Sequence, residues 1–270
     1  MLDTRKYDGP FGSMAVWDSG GDGPAIVLLH GNSSSSRAYW RQLDGPLGRT
    51  RRLVAYDLMG HGQSADAADP AAYLLPGHAK ALLALVEALG LQRATFAGWS
   101  LGGHILLEAA PDLPQAKGFA IFGTPPVEMP APIDRAFLPN PLLGVGFSAE
   151  ISREQAQGYV QVGFAPNFTD IPSFFVEDVL RADGRARTGV AASIDPKVSR
   201  DERAVVANLK APLAILHGER DQLVNAEYFA TVTAPTLWRG QVQIIAHAGH
   251  TPQWETPAAF DSLIEAFTND

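Results

Sequence analysis

Residues 98–103, GWSLGG, place a serine at the centre of a G-x-S-x-G pattern. The pattern falls between a predicted strand at 94–98 and a predicted helix at 101–110, the setting in which such a serine becomes a nucleophile. The chain has to turn sharply there, so Ser100 is strained and its hydroxyl projects. Gly98 and Gly102 keep side chains out of the turn. The first amides of the helix face any negative charge that develops beside the serine. The plainer alternative is a glycine-rich turn without chemistry. A serine hydroxyl is a weak nucleophile and needs a base, and an acid to orient that base. The chain order nucleophile, acid, base is met downstream. LHGERDQLV puts Asp221 just after one predicted strand, and AHAGHTP puts His250 just after the next. Both fall at carboxyl ends of strands, where an open α/β sheet assembles its site. Glu219, on the same loop as Asp221, is the alternative acid.

The seven histidines divide by context. His250 sits in a glycine-flanked loop and is the favoured base, with His247 the runner-up. His30 and His61 belong to turns, HGN and GHG, and read as loop-holding residues. His104 follows the serine by one helical turn and is a candidate to line the site. His78 and His217 read as structural. The H-x-x-H of His247 and His250 has no third ligand cluster, and there is no H-E-x-x-H, so no metal is expected. HGNSSSS (30–36) follows the first apolar strand. Its Asn32 amide and the Leu101 amide are the candidates for holding an oxyanion, and the Asn32 side chain is also placed to donate to substrate. The alternative for that loop is a polar turn capping the next helix. Neither a phosphate-binding loop nor a G-x-G-x-x-G after the first strand is present, so no nucleotide cofactor is expected. No cysteine occurs, which removes disulfides, thiolate metal sites and a cysteine nucleophile.

Six short apolar runs must position these residues: AIVLL (25–29), RLVAY (52–56), ATFAG (94–98), GFAIF (118–122), LAIL (213–216) and VQII (242–245). Nearly continuous apolar strands of this length suit a parallel sheet covered on both faces. Helical patterns separate them at 38–43, 77–89, 101–110, 226–231 and 257–267, giving a doubly wound α/β arrangement. Residues 11–17 are placed to add an antiparallel edge. The alternation breaks at 124–209, which opens with the proline-rich TPPVEMPAP and continues with helical patterns at 153–162, 171–181 and 200–209. It reads as a mostly helical cap over a core formed by 1–123 and 210–270. The cap holds Phe137, Phe147, Phe164, Phe168, Phe174 and Phe175, six of the 13 phenylalanines. These rings either line an apolar pocket for a fatty acyl chain or cement the cap to the core.

The chain has 270 residues and a net charge of −8, which argues against nucleic acid or an anionic membrane as partner. The start, MLDTRKYDGPFGSM, lacks the apolar stretch of a secretory signal. The strongest apolar helix, 79–89, is far shorter than the ~20 residues that span a bilayer. A cytoplasmic protein with a small-molecule substrate is the expectation.

Taken together, HGNSSSS, DLMGHGQS (57–64), GWSLGG and GERD…AGHTP resemble the α/β-hydrolase superfamily. HGN with a following Trp40 is also similar to haloalkane dehalogenases, but those and epoxide hydrolases use an aspartate nucleophile where this chain has Ser100. The more similar group is the metal-independent N-acyl-homoserine lactonases of this fold, through LHGNSSS, GWSLGGHI, GTPPV (123–127) and DGRAR (183–187). The resemblance implies an α/β-hydrolase fold: a mostly parallel doubly wound sheet with a helical cap inserted after the sixth strand of the family core. It implies lactone ring opening without cofactor, the quorum-quenching reaction, with Ser100 as nucleophile, His250 as base, and Asn32 with Leu101 as the carbonyl-oxygen site. Tyr159 matches a substrate-binding tyrosine of the cap. Trp99 and His104, beside the nucleophile, join it as candidate substrate contacts, the alternative being that Trp99 packs under the turn and His104 packs on the sheet. The third triad member in those lactonases is a glutamate, whereas the aligned residue here is Asp221. A carboxylesterase or carbon–carbon bond hydrolase with the same triad is the alternative activity, and a slow-turnover ligand receptor ranks below both.

Overall fold

The computed structural model describes residues 4–270; residues 1–3, which open the segment read as lacking a secretory signal, lie outside them. Strands β1 (Thr4–Gly9), β2 (Gly12–Asp18), β3 (Ala25–Leu29), β4 (Arg52–Tyr56), β5 (Thr95–Trp99), β6 (Gly118–Phe122), β7 (Leu213–Gly218) and β8 (Gln243–Ile245) form one sheet. Their order is β1-β2-β4-β3-β5-β6-β7-β8. The β1–β2 and β2–β4 pairs are antiparallel, and every pair from β4 to β8 is parallel. The parallel strands are apolar at nearly every position because both faces of the sheet are covered. Successive residues alternate between two cores. Val27, Leu29, Phe96, Ile121 and Ile215 pack with Leu82 and Ile105 of helices Leu75–Ala88 and Leu101–Ala109. Ile26, Leu28, Ala97, Phe122 and Leu216 pack on the other face with Phe260 and Ile264 of helix Pro257–Asn269.

β3 lies between β4 and β5, so the chain reverses its winding direction there. Ligands of open α/β sheets bind at that reversal, outside the carboxyl ends of the strands. The HGN loop leaves β3, and the serine turn leaves β5, at this crevice.

Between β6 and β7 lie helices Arg153–Val162, Phe174–Arg181, Gly184–Ala192 and Glu202–Asn208. Side chains capping their first amides set several of the boundaries. Ser152 and Gln155 form a reciprocal capping box at Arg153, and Asp201 accepts from the Ala204 amide. The helix Gly184–Ala192 has no strong apolar period and was not expected from sequence. It is started by Asp183, which accepts from the Arg185 amide at 2.9 Å and from the Tyr73 hydroxyl at 2.7 Å. The pattern at 226–231 yields a 3₁₀ turn rather than an α-helix. The pattern at 38–43 yields a 3₁₀ turn, Ser36–Tyr39, that runs into a short helix, Trp40–Leu43. No helix among the described residues is long and apolar enough to cross a membrane.

Asp183 gives a test of this anchoring. Burial opposes its charge, but bonds from Arg185 and Tyr73 outweigh that and hold the carboxyl down to about 2. A depressed carboxyl contributes stability that is full above its unfolded value and is lost as pH falls through the folded value. Asp183→Ala is therefore expected to lower stability by ~1–2 kcal/mol at pH 7. The gap from wild type should narrow between pH 4 and 2. Urea unfolding midpoints of both proteins across that range read the effect, and a gap that does not change with pH would refute the assignment.

Candidate active site

The turn after β5 carries Ser100 at φ 52° and ψ −117°, a left-handed conformation that costs a side-chain-bearing residue about 1–3 kcal/mol. Its amide donates to the Phe122 carbonyl at 2.8 Å, and its carbonyl accepts from the Thr124 hydroxyl at 2.9 Å. β6 thus holds the turn from one side. A Cβ at Gly98 would lie 2.5 Å from the Gly102 carbonyl carbon, so the sharp bend requires a bare backbone there. Leu101, the first residue of the following helix, has an amide with no partner inside the helix.

His250 and Asp221 arrive from the loops after β8 and β7. His250 is buried, and its Nδ1 lies 2.8 Å from Asp221 Oδ2. Asp221 Oδ1 accepts from the Leu223 and Val224 amides at 2.8 and 3.1 Å. Burial pushes the Asp221 carboxyl up, but the His250 ring and these bonds outweigh it, so the group lies below the usual carboxylate range. A carboxylate here keeps the Nδ1 proton on His250 and leaves Nε2 free to act as a base. Gly123, at φ 58°, clears space for the ring; a Cβ there would sit 2.7 Å from His250 Cε1. The Trp99 indole donates to the His250 carbonyl at 2.7 Å. Ser100 and His250 line one cavity. No hydrogen bond between their side chains is closed among the described residues, and such bonds commonly tighten only when substrate is bound.

Two open cavities meet at Ser100, Asn32 and Tyr159, which line both. The smaller contains His250, Trp99, Phe164 and Phe175. The wider contains Leu101, His104, Phe137 and Phe147. Asn32 Nδ2 donates to the Gly146 carbonyl at 2.6 Å. Burial pushes the Tyr159 hydroxyl up to about 12, so it remains a donor at neutral pH.

Residues 26–263 match the model of the alpha/beta hydrolase family. The chain belongs to the alpha/beta hydrolase family. This hydrolase is similar in structure to the N-acyl homoserine lactonase AidH solved with N-butanoyl homoserine. The TM-score is 0.95 at 32% identity, and the match covers 100% of this chain and 97% of that one. Among curated proteins it is 30% identical over 246 residues to the pimeloyl-[acyl-carrier protein] methyl ester esterase of Xanthomonas axonopodis pv. citri (strain 306), covering 86% of this chain and 90% of that one. It is 26% identical over 264 residues to the 2-hydroxymuconate semialdehyde hydrolase of Pseudomonas sp. (strain CF600), covering 93% and 88%.

The remaining sequence candidates of the hydrolase separate clearly in space. Glu219 does not reach His250; it accepts from the His247 amide at 2.9 Å, its side chain is half exposed, and that of His247 is largely exposed. His30 Nε2 accepts from the Leu58 amide at 3.0 Å, and His61 Nε2 from the Ser33 amide at 3.2 Å, so both rings hold loops. Burial lowers each to about 3 and keeps it neutral. His217 is buried with Nδ1 4.0 Å from Asp221 Oδ2. Phe168 stacks on Phe164, and Phe174 packs on Phe175 and Trp254, so these two rings support the walls of the smaller cavity.

Three residues with supporting positions carried no assignment from sequence. Glu255 accepts from the Gly249 and Thr251 amides at 2.9 and 3.2 Å, gripping the His250 loop, and from the Ala165 amide at 2.7 Å. Arg187 is buried and donates to the Ser148, Ala149, Val179 and Ala182 carbonyls at 2.6 to 3.3 Å. Glu202 is buried against His104. Arg187 lies in DGRAR, which was the one available signal; the two glutamates had none.

Proposed function

We propose that this hydrolase opens the lactone ring of N-acyl-homoserine lactones, with residues 124–209 acting as the cap that shapes the acyl site. The observation that carries this reading is the likeness to AidH along 100% of the chain, which includes the segment between β6 and β7 that walls both cavities. His250 Nε2 takes the Ser100 proton as Oγ attacks the lactone carbonyl. The Asn32 and Leu101 amides donate to the oxyanion; such a donor typically lowers a barrier by ~3 kcal/mol. His250 then protonates the ring oxygen as the acyl–oxygen bond breaks. The released alcohol stays tethered and is able to close the ring again. Net turnover therefore needs water activated by His250 to attack the acyl-enzyme, which frees Ser100 and gives the N-acyl-homoserine. Opening the ring this way would quench a lactone signal.

The ring oxygen must leave beside His250, in the smaller cavity. The amide-linked tail departs from the other side of the attacked carbon, towards the wider, more apolar one, and Tyr159 stands between them to meet the amide. A simple carboxylic ester is the second reading, supported by the 30% identity to the pimeloyl methyl ester esterase. Chelator-treated enzyme offered lactones of varied acyl length should yield products one water heavier by mass. p-Nitrophenyl esters and dienone acids should be cleaved with lower kcat/KM. Preference for either of those by tenfold or more would overturn the lactonase assignment.

A further inference from the structure

The wider cavity holds one polar pair that the proposed reaction leaves unused. His104 stands one helical turn beyond Ser100 on helix Leu101–Ala109 and lines that cavity together with Glu202. Its Nδ1 lies 2.7 Å from Glu202 Oε1. The other carboxyl oxygen, Oε2, accepts from the Val127 amide at 2.9 Å, and the Glu202 amide donates to the Val127 carbonyl at 3.0 Å. Glu202 thus occupies Nδ1 of His104, which leaves Nε2 without an assigned partner. Most of the surrounding wall is apolar, with Leu75, Met129, Ile133, Phe137 and Phe147. The nearby Ser193 hydroxyl is already committed, donating to the Gly189 carbonyl at 2.8 Å and accepting from the Leu75 amide at 2.9 Å. A plain alkyl chain packed against His104 would strip water from Nε2 and return nothing, whereas a chain with a hydroxyl there would return a hydrogen bond.

We propose that the His104–Glu202 pair makes this cavity select acyl chains carrying a hydroxyl on the third carbon. The proposal rests on the lactonase reading and names the substrate subclass. The position follows from reach. The His104 amide donates to the Ser100 carbonyl at 3.3 Å, and both residues line the wider cavity, so the ring stands one helical pitch, ~5 Å, beyond the nucleophile. In an N-acyl-homoserine lactone, five bonds separate the attacked carbon from acyl carbon three, about 6 Å when extended. The amide carbon is only three bonds away and falls short, nearer Tyr159. Nε2 is left to bind a group on the acyl chain, and a hydroxyl, which both donates and accepts, matches it. The pairing also gives GGHI and GTPPV a joint purpose, since Glu202 binds His104 of one and Val127 of the other.

The test compares kcat/KM for N-(3-hydroxyhexanoyl)- and N-hexanoyl-homoserine lactone in wild type and His104→Leu. The ratio of the hydroxylated to the plain substrate should fall about tenfold in the variant, the size expected for one hydrogen bond in a desolvated site. Where leucine leaves Glu202 unpaired and the protein fails to fold, His104→Asn keeps a donor at the Nδ1 position while deleting Nε2, and the same ratio is read. A ratio within twofold of wild type, or equal loss on both substrates, overturns the proposal. If wild type opens neither lactone, the lactonase reading fails separately. The pair is then read on p-nitrophenyl octanoate and its 6-hydroxy derivative, which sets the hydroxyl the same five bonds from the attacked carbon.

Discussion

Ser100→Ala protein is expected to fold like wild type and to hydrolyse every cleaved ester or lactone at least ~10⁴-fold more slowly. The loss is large because base, acid and oxyanion amides act through the serine oxygen; without it, what remains is the weak attack of water in a polarised site. The fold should not suffer, because the bonds that hold the turn are made by backbone. The Ser100 amide bonds to Phe122, and the Ser100 carbonyl bonds to Thr124. A companion variant reads the strain. At φ 52° and ψ −117° a Cβ is unfavourable, so Ser100→Gly should remove activity and raise stability by ~1–3 kcal/mol. That corresponds to several degrees in Tm for a domain of this size. Turnover after purification free of host esterases, together with thermal unfolding of all three proteins, decides both points. Retention of most activity by Ser100→Ala would end the serine mechanism, and an unchanged Tm in Ser100→Gly would end the claim of strain.

The second large effect distinguishes the two acids. Asp221→Asn should lower kcat by about 10³–10⁴, while Glu219→Gln should leave it within about twofold. Asparagine keeps an oxygen for the Leu223 and Val224 amides, but its NH₂ faces His250 Nδ1 and turns the ring to the wrong tautomer. The Asp221 carboxyl is held low by His250 and its hydrogen bonds against the opposing effect of burial. Its stabilisation is therefore full above the ordinary carboxylate value, and it is lost only as pH falls through the lower folded value. Glu219 is half exposed and turned towards His247. Steady-state kinetics of both variants at pH 8 suffice. Comparable losses in the two would show that the acid is shared or misassigned.

Much of the hydrolase was legible residue by residue. The parallel strands were found to within two residues because strands covered on both faces must be apolar almost throughout, and β5 and β6 are buried along their whole length. The serine turn was legible because its constraint is local: one bend, one bare backbone approach and one helix start. β1, TRKYDG, went unseen for the converse reason, since it is a largely exposed edge strand and carries no burial pattern. The helix Gly184–Ala192 went unseen because its start depends on a capping carboxylate also held by a tyrosine 110 positions away.

By itself, then, the sequence determined the parallel strands, the strained serine turn and the candidate base, because each depends on neighbours a few residues apart. Only the tertiary structure decided which acid meets His250. Asp221 and Glu219 share one loop, and the pairing of Gly218 with Ile245, with the two amides that grip Asp221, turns one carboxylate inward and the other out. The same holds for Glu202 and His104, which lie 98 positions apart and acquire a purpose only where two packed helices bury them together. Hydrogen bonds between distant residues leave no period in a chain, so no pattern along it announces them.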